Sequence, residues 1–128
     1  MKYLLDTQVI VWLGSDSRKL GKRARQILSR APKLYFSPVS IAELQVKAAK
    51  GKFKFEKNFV ESLIHAGLTE LSFTSSHAHS VSRFPALVNH DPLDRMLLAQ
   101  AASEQIYLIS SDQKLLDLKL NWIIDAHE

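Results

Sequence analysis

Not one cysteine occurs in the 128 residues, and that absence removes disulfides, zinc–thiolate centres and thiol nucleophiles together. Any metal must therefore be held by oxygen or imidazole. Of the five histidines, only His77 and His79 lie close together, and no His-Glu-x-x-His pattern exists. Zinc hydrolysis is not expected, and those two read as surface or partly packed residues. The four glycines build neither a phosphate-cradling loop ending in Lys-Ser/Thr nor a Gly-x-Ser-x-Gly elbow, so P-loop and serine-nucleophile chemistry drop out as well. Long apolar runs are also missing. Val9 to Leu13 and Met96 to Leu98 fall far short of the roughly 20 residues that cross a bilayer. The start Met1-Lys2-Tyr3-Leu4-Leu5 meets Asp6 before a signal-peptide core develops, and no small-residue cleavage pattern follows it. The expectation is a cytoplasmic protein with no membrane association.

What is present is ordinary in amount and uneven in placement. A hydrophobic share of 46% and a charged share of 23% suit one soluble domain spanning residues 1–128. The net charge of +4 is modest, yet twelve of the seventeen basic residues fall between Arg18 and Lys57, against only Glu43 and Glu56. Such a stretch would attract a polyanion through salt-sensitive phosphate contacts, or it is simply a set of solvated helix faces. Charge alone does not choose between them.

Periodicity alternates along the chain. Lys2 to Leu5 reads as a strand and Thr7 to Leu13 as a helix stopped by Gly14. Leu20 to Leu28 forms a basic amphipathic helix ended by Ala31-Pro32. Leu34 to Ser37 is a second strand, after which Ser40 is placed to cap a helix carrying Ile41, Leu44 and Ala48 that Gly51 closes. An apolar stripe from Phe59 to Leu68 and a brief strand from Glu70 to Phe73 follow. Asp91-Pro92 opens a helix through Gln105, Ile106 to Ile109 is a β-branched strand, and Trp122 to Ile124 is the last. This βα alternation predicts an α/β fold, a central mostly parallel sheet flanked by helices on both faces. No repeat or linker interrupts it.

Ligands of such sheets gather at the carboxyl ends of strands. Asp6 and Asp112 sit at two of those ends, and Glu43 and Asp94 sit in first helical turns that reach the same edge. Four carboxylates in one crevice would suit a hard cation such as Mg²⁺, which takes carboxylate oxygens, keeps waters and accepts substrate phosphate. Each acid also has a purely structural reading. Asp6 and Asp112 fit N-caps of the helices that follow them, Ser40 to Glu43 has capping-box spacing, and Asp94 favours a positive helix terminus beside the cap Asp91 and Pro92. A phosphotransfer site built on a strand-end aspartate nucleophile wants a second acid two residues on, where this chain has Gln8.

Taken as a set, the segments resemble a known family. Tyr3-Leu4-Leu5-Asp6-Thr7, Ala42-Glu43-Leu44 with Gly51-Lys52, His90-Asp91-Pro92-Leu93-Asp94-Arg95 through Ala101, and Leu108 to Asp112 look like the successive signatures of PIN domains. They run in order over nearly the whole chain, and the match is nearest to the VapC-like toxins of toxin–antitoxin pairs. The resemblance implies a small PIN-like α/β domain and an endoribonuclease dependent on Mg²⁺, with Mn²⁺ able to substitute. It further implies an RNA substrate, a homodimer and inhibition by a VapB-like antitoxin. By motif position Asp6, Glu43 and Asp94 correspond to the family's central acids and Asp112 to its more variable fourth, with Asp91 the cap. Thr7, Arg95 and Lys47 are candidates for substrate contact. Gln8 and Ala42 stand where close relatives often carry His and an aromatic residue; neither change removes an acid. A PIN-like module that binds RNA without cleaving it is the alternative. Apolar side chains at Trp12 and Phe53 to Phe59 would serve a dimer or antitoxin groove, or the core.

Overall fold

Alternation in the first strand decides how the two layers of the protein divide. In the computed structural model, which describes residues 1–128, β1 (Lys2–Leu5) sends Tyr3 and Leu5 into one core and Leu4 into another. The remaining strands are β2 (Lys33–Phe36), β3 (Leu68–Glu70), β4 (Tyr107–Ser110) and β5 (Ile123–Asp125). They pair in the order β3-β2-β1-β4-β5, every pair parallel. Register carries the alternation across the sheet, since Leu4 lies opposite both Tyr35 and Leu108. Strands buried on both faces read as near-continuous apolar runs, as Tyr3 to Leu5 of β1 and Tyr107 to Ile109 of β4 do.

Helices cover both faces. On the Tyr3/Leu5 side, α1 (Thr7–Gly14) contributes Val9, Ile10 and Trp12, α2 (Lys22–Arg30) contributes Ala24, and α4 (Phe59–His65) contributes Leu63. On the Leu4 side, α3 (Pro38–Ala49) brings Val39. There α6 (Pro92–Glu104) brings Leu97, Leu98 and Ala101, and α7 (Gln113–Leu116) brings Leu115. A short α5 (Ser75–His79) and two 3-10 turns, Ser80–Arg83 and Pro85–Leu87, fill the connection into α6. No helix is long and apolar enough to cross a membrane.

The expected α/β architecture is the observed one, with local differences. The cap of α3 is Ser37, whose hydroxyl accepts from the Val39 amide at 3.1 Å. Pro38 takes the first helical position, where its missing N–H and restricted φ cost nothing. Ser40 is therefore inside the helix, and the expected capping box does not form. Helix α2 starts at Lys22, two residues after Leu20, because Gly21 is its N-cap. Strand β3 is Leu68–Glu70 and not Glu70 to Phe73, since Leu68 is needed in the core; Leu71 to Phe73 follow it outside the sheet. The stretch Ser75 to Leu87 was not anticipated as helical. Trp12 is core, and Phe53, Phe55 and Phe59 pack edge-to-face on one another, half-buried.

From β1 the chain runs to β2 and β3 on one side, and later to β4 and β5 on the other. The strand order thus reverses between β1 and β4, which opens a crevice beyond their carboxyl ends. Asp6 follows β1 and Ser111-Asp112 follows β4.

Candidate active site

Asp6 caps α1 and faces the crevice at once. Its Oδ1 accepts from the Val9 amide at 3.0 Å, the capping bond expected of it. Its Oδ2 accepts from the Ser110 hydroxyl at 2.5 Å and the Ser111 amide at 3.1 Å. Only 5% of the residue is exposed. Burial raises its pKa from 3.8 to about 6; the three hydrogen bonds oppose the shift and the charge of Glu43 adds to it. A carboxylate has roughly four lone-pair positions, so Asp6 keeps one for a further partner.

Glu43 projects from α3 toward α1. The Thr7 hydroxyl lies 3.2 Å from Glu43 Oε1 and 3.0 Å from Ser40 Oγ. Having one proton, it donates to the carboxylate and is paired by the serine. Lys47, one turn on, sets its ammonium 3.2 Å from Oε2. Glu43 is thus held by a buried threonine and a lysine, not by a helix terminus. Its charge raises the pKa of both Asp6 and Asp94, which ties the three acids to one crevice.

On the far wall, Asp91 performs the capping of α6, accepting from the Leu93 amide at 2.9 Å. Asp94 stands in the first turn, where its charge suits the positive helix terminus as the sequence suggests, and its carboxylate also meets His90. Asp112 caps α7 through Oδ1, which accepts from the Lys114 amide at 2.9 Å. Its Oδ2 lies 2.9 Å from His90 Nε2, and Asp94 Oδ2 lies 3.2 Å from the same nitrogen. Burial pushes Asp94 up to about 8, helped by its hydrogen bond with Asp112 and by the charges of Glu43, Asp112 and Asp91. For Asp112, burial works upward. The hydrogen bonds from His90, Asp94 and the Lys114 amide outweigh it and leave the pKa below the ordinary value. The pair behaves as one carboxylate and one carboxylic acid, the expected response of like charges forced together.

One proton and one imidazole are what the chain supplies to quiet this charge. A divalent cation would do so more fully, and the donor atoms suit it: one each from His90, Asp94 and Asp112 lie within 4.8 Å of one another. Asp6 and Glu43 stand outside that grouping. Ser110 links the two sets, because its hydroxyl donates to Asp6 while accepting from the Asp112 amide at 3.0 Å.

The proposed substrate contacts are engaged within the protein. Thr7 is buried against Glu43, Lys47 is paired with it, and Arg95 Nη2 donates to the Val81 carbonyl at 3.4 Å while its Nε has no partner. Sequence reasoning did not single out His90 or Ser110. The first stands four residues before Asp94, and the second ends β4 just as Leu5 precedes Asp6. Both signals were legible as spacing, but neither residue type announced itself. His77 is buried and forms a capping box with Thr74. A cavity of about 420 Å³ lined by Arg83, Gln105, Tyr107 and Trp122 lies at the opposite, amino-terminal strand edge. It contains no carboxylate or histidine.

Comparison with protein families matches residues 3–120 to the PIN domain. Among curated proteins, none gives a significant sequence match. Solved structures of similar fold include a toxin–antitoxin complex from Klebsiella pneumoniae, 19% identical, TM-score 0.68, covering 98% of each chain. VapBC-1 from nontypeable Haemophilus influenzae is 20% identical, with TM-score 0.66 and complete coverage of both chains. DNA-bound VapBC from Salmonella typhimurium is 20% identical, with TM-score 0.63, covering 97% of this chain and 96% of that one. At these identities the likeness is one of fold.

Proposed function

Because this chain belongs to the PIN-domain family, we propose that it is a Mg²⁺-dependent endoribonuclease, the toxin of a toxin–antitoxin pair. The observation that carries the reading is the convergence of donors in the crevice: one atom each of His90, Asp94 and Asp112 lies within 4.8 Å of the others, with Asp6 tied to Asp112 through Ser110. Acids stacked in this way lower stability unless a cation is part of the design.

Asp94, Asp112, Asp6 and Glu43 would hold the ion, directly or through its waters, with Mn²⁺ able to replace Mg²⁺. When bound, it would acidify an attacking water and neutralise charge developing on the phosphoryl group. The chain's own groups do the rest. Thr7 fixes the Glu43 carboxylate by donating to Oε1. Ser110 and the Ser111 amide aim Asp6, and the Lys114 amide with His90 aims Asp112. Lys47 shields Glu43 and sits where it can turn to a substrate phosphate, while Arg95 lends positive potential from the start of α6. The basic residues from Arg18 to Lys57 supply the salt-sensitive hold on the rest of the RNA. Solved structures of similar fold include VapBC complexes; as the family resemblance implies, a VapB-like antitoxin would silence the enzyme and a homodimer would be its assembly.

The test uses antitoxin-free protein, structured RNA and Mg²⁺, with Asp6→Asn protein and an EDTA-treated sample as controls. Cleavage by the wild type alone supports the reading. Binding with no cleavage above the variant would make the protein a silent RNA-binding module instead.

A further inference from the structure

We infer that His90 is itself a metal ligand, giving this site a nitrogen donor that favours Mn²⁺ over Mg²⁺. The inference rests on the metal reading above and goes beyond it, since the acids alone account for a Mg²⁺ site.

The geometry singles out one imidazole. His90 lies just outside α6, before the cap Asp91, and its ring reaches Asp94 in the first turn of that helix. Its Nε2 points between two carboxylates from different elements, 3.2 Å from Asp94 and 2.9 Å from Asp112. Only 13% of its side chain is exposed. Asp94 and Asp112 are the two acids whose oxygens share the 4.8 Å grouping with it. A cation drawn in by those oxygens arrives within reach of the nitrogen; a slight opening of the three groups, with the neutral ring carrying its one proton on Nδ1 and the protons of Nε2 and Asp94 released to solvent, converts hydrogen bonds into coordination. None of the other histidines is placed this way: His77 is engaged with Thr74 and lies near Glu104, and His127 pairs with Asp125.

Ligand chemistry then sets the preference. Mg²⁺ is hard, demands oxygen and retains its waters, whereas imidazole suits first-row transition ions; Mn²⁺ takes carboxylate and water as Mg²⁺ does, but as the first of that transition series it binds an imidazole better than Mg²⁺ can. An all-oxygen site gains little from exchanging one ion for the other. A site with one imidazole and two carboxylates gains more with Mn²⁺.

The experiment is pulsed electron paramagnetic resonance on the full chain loaded with Mn²⁺, reading nitrogen coupling to the ion, alongside calorimetric titration with Mn²⁺ and Mg²⁺. Wild-type protein should show the coupling of a directly bonded imidazole, changed in pattern when histidine is ¹⁵N-labelled. His90→Ala should abolish it and weaken Mn²⁺ binding by roughly tenfold or more beyond any loss of Mg²⁺ binding that follows from Asp112 losing a partner. His90→Gln serves if the alanine variant melts early in the metal-free state. Mn²⁺ binding without nitrogen coupling, or equal losses for both ions in the variant, would overturn the inference while leaving an oxygen-only metal site standing. No Mn²⁺ binding at all would remove the metal reading and this inference with it.

Discussion

Ser110 gives its hydroxyl proton to Asp6 at 2.5 Å, a bond between residues 104 positions apart that joins the carboxyl ends of β1 and β4. Both groups are buried. The bond offsets part of the upward shift that burial imposes on Asp6.

Ser110→Ala removes that donor and leaves a buried carboxylate oxygen supported by the Ser111 amide alone. Stability measured by urea unfolding should fall by about 1–3 kcal/mol. Metal-dependent cleavage should also fall, though less than in Asp6→Asn, where a charge is lost. An unchanged unfolding midpoint would mean that the serine does not support the aspartate.

The metal-free protein should lose stability as pH rises from acid to mildly alkaline. Asp6 and Asp94 have folded-state pKa values of about 6 and about 8, above the ordinary 3.8. Folding therefore favours the protonated forms. Their contribution is complete below the unfolded value and disappears as pH passes through those two. Asp112, with a lowered pKa, loses its contribution only on the acid side, outside this window. Thermal melting across the range should show a falling Tm, flatter at its alkaline end in Asp94→Asn. Saturating Mg²⁺ should raise Tm most where the metal-free protein is weakest. A metal-free Tm that climbs with pH would contradict the protonated pair.

Neutralising Glu43 should be felt on both walls. In Glu43→Gln, the pKa of Asp6 and of Asp94 should each fall, because the Glu43 charge raises both. Carboxyl ¹³C titration by NMR reads each shift directly. Cleavage should drop by roughly a hundredfold or more, the scale of removing one preorganised electrostatic group from an active site. Asp112→Asn should be milder than Asp6→Asn. Titration curves that do not move would place Glu43 outside the shared crevice.

Gly21→Ala tests a feature remote from the chemistry. Gly21 has an ordinary φ of −71°, so its backbone does not require glycine. A Cβ there would instead collide with the backbone of His127 and Glu128. Overpacking of this kind costs about 1–3 kcal/mol, expected as a lower unfolding midpoint with RNA cleavage retained.

Much of the fold was legible because its signals are local. The alternation of Tyr3, Leu4 and Leu5, the Asp91-Pro92 helix start, and the Asp112 cap of α7 each depend on residues within one turn. The cap of α3 was misread at Ser40 because both serines precede an apolar helix; Pro38 at the first helical position decided for Ser37. Helix α5 and the two 3-10 turns lacked a strong period and escaped notice.

Sequence by itself determined the sheet, its two apolar faces and the acids at strand ends and helix starts, because strand and helix periods are properties of neighbouring residues. Which groups surround Glu43 and Asp94 was decided only by tertiary structure. Ser37 and Asp91 took the capping positions, and Thr7 and His90 supplied the partners. Where a carboxylate's lone pairs go depends on which groups the fold brings within about 3 Å, and the nearest group to Asp6 lies on a strand at the other end of the chain.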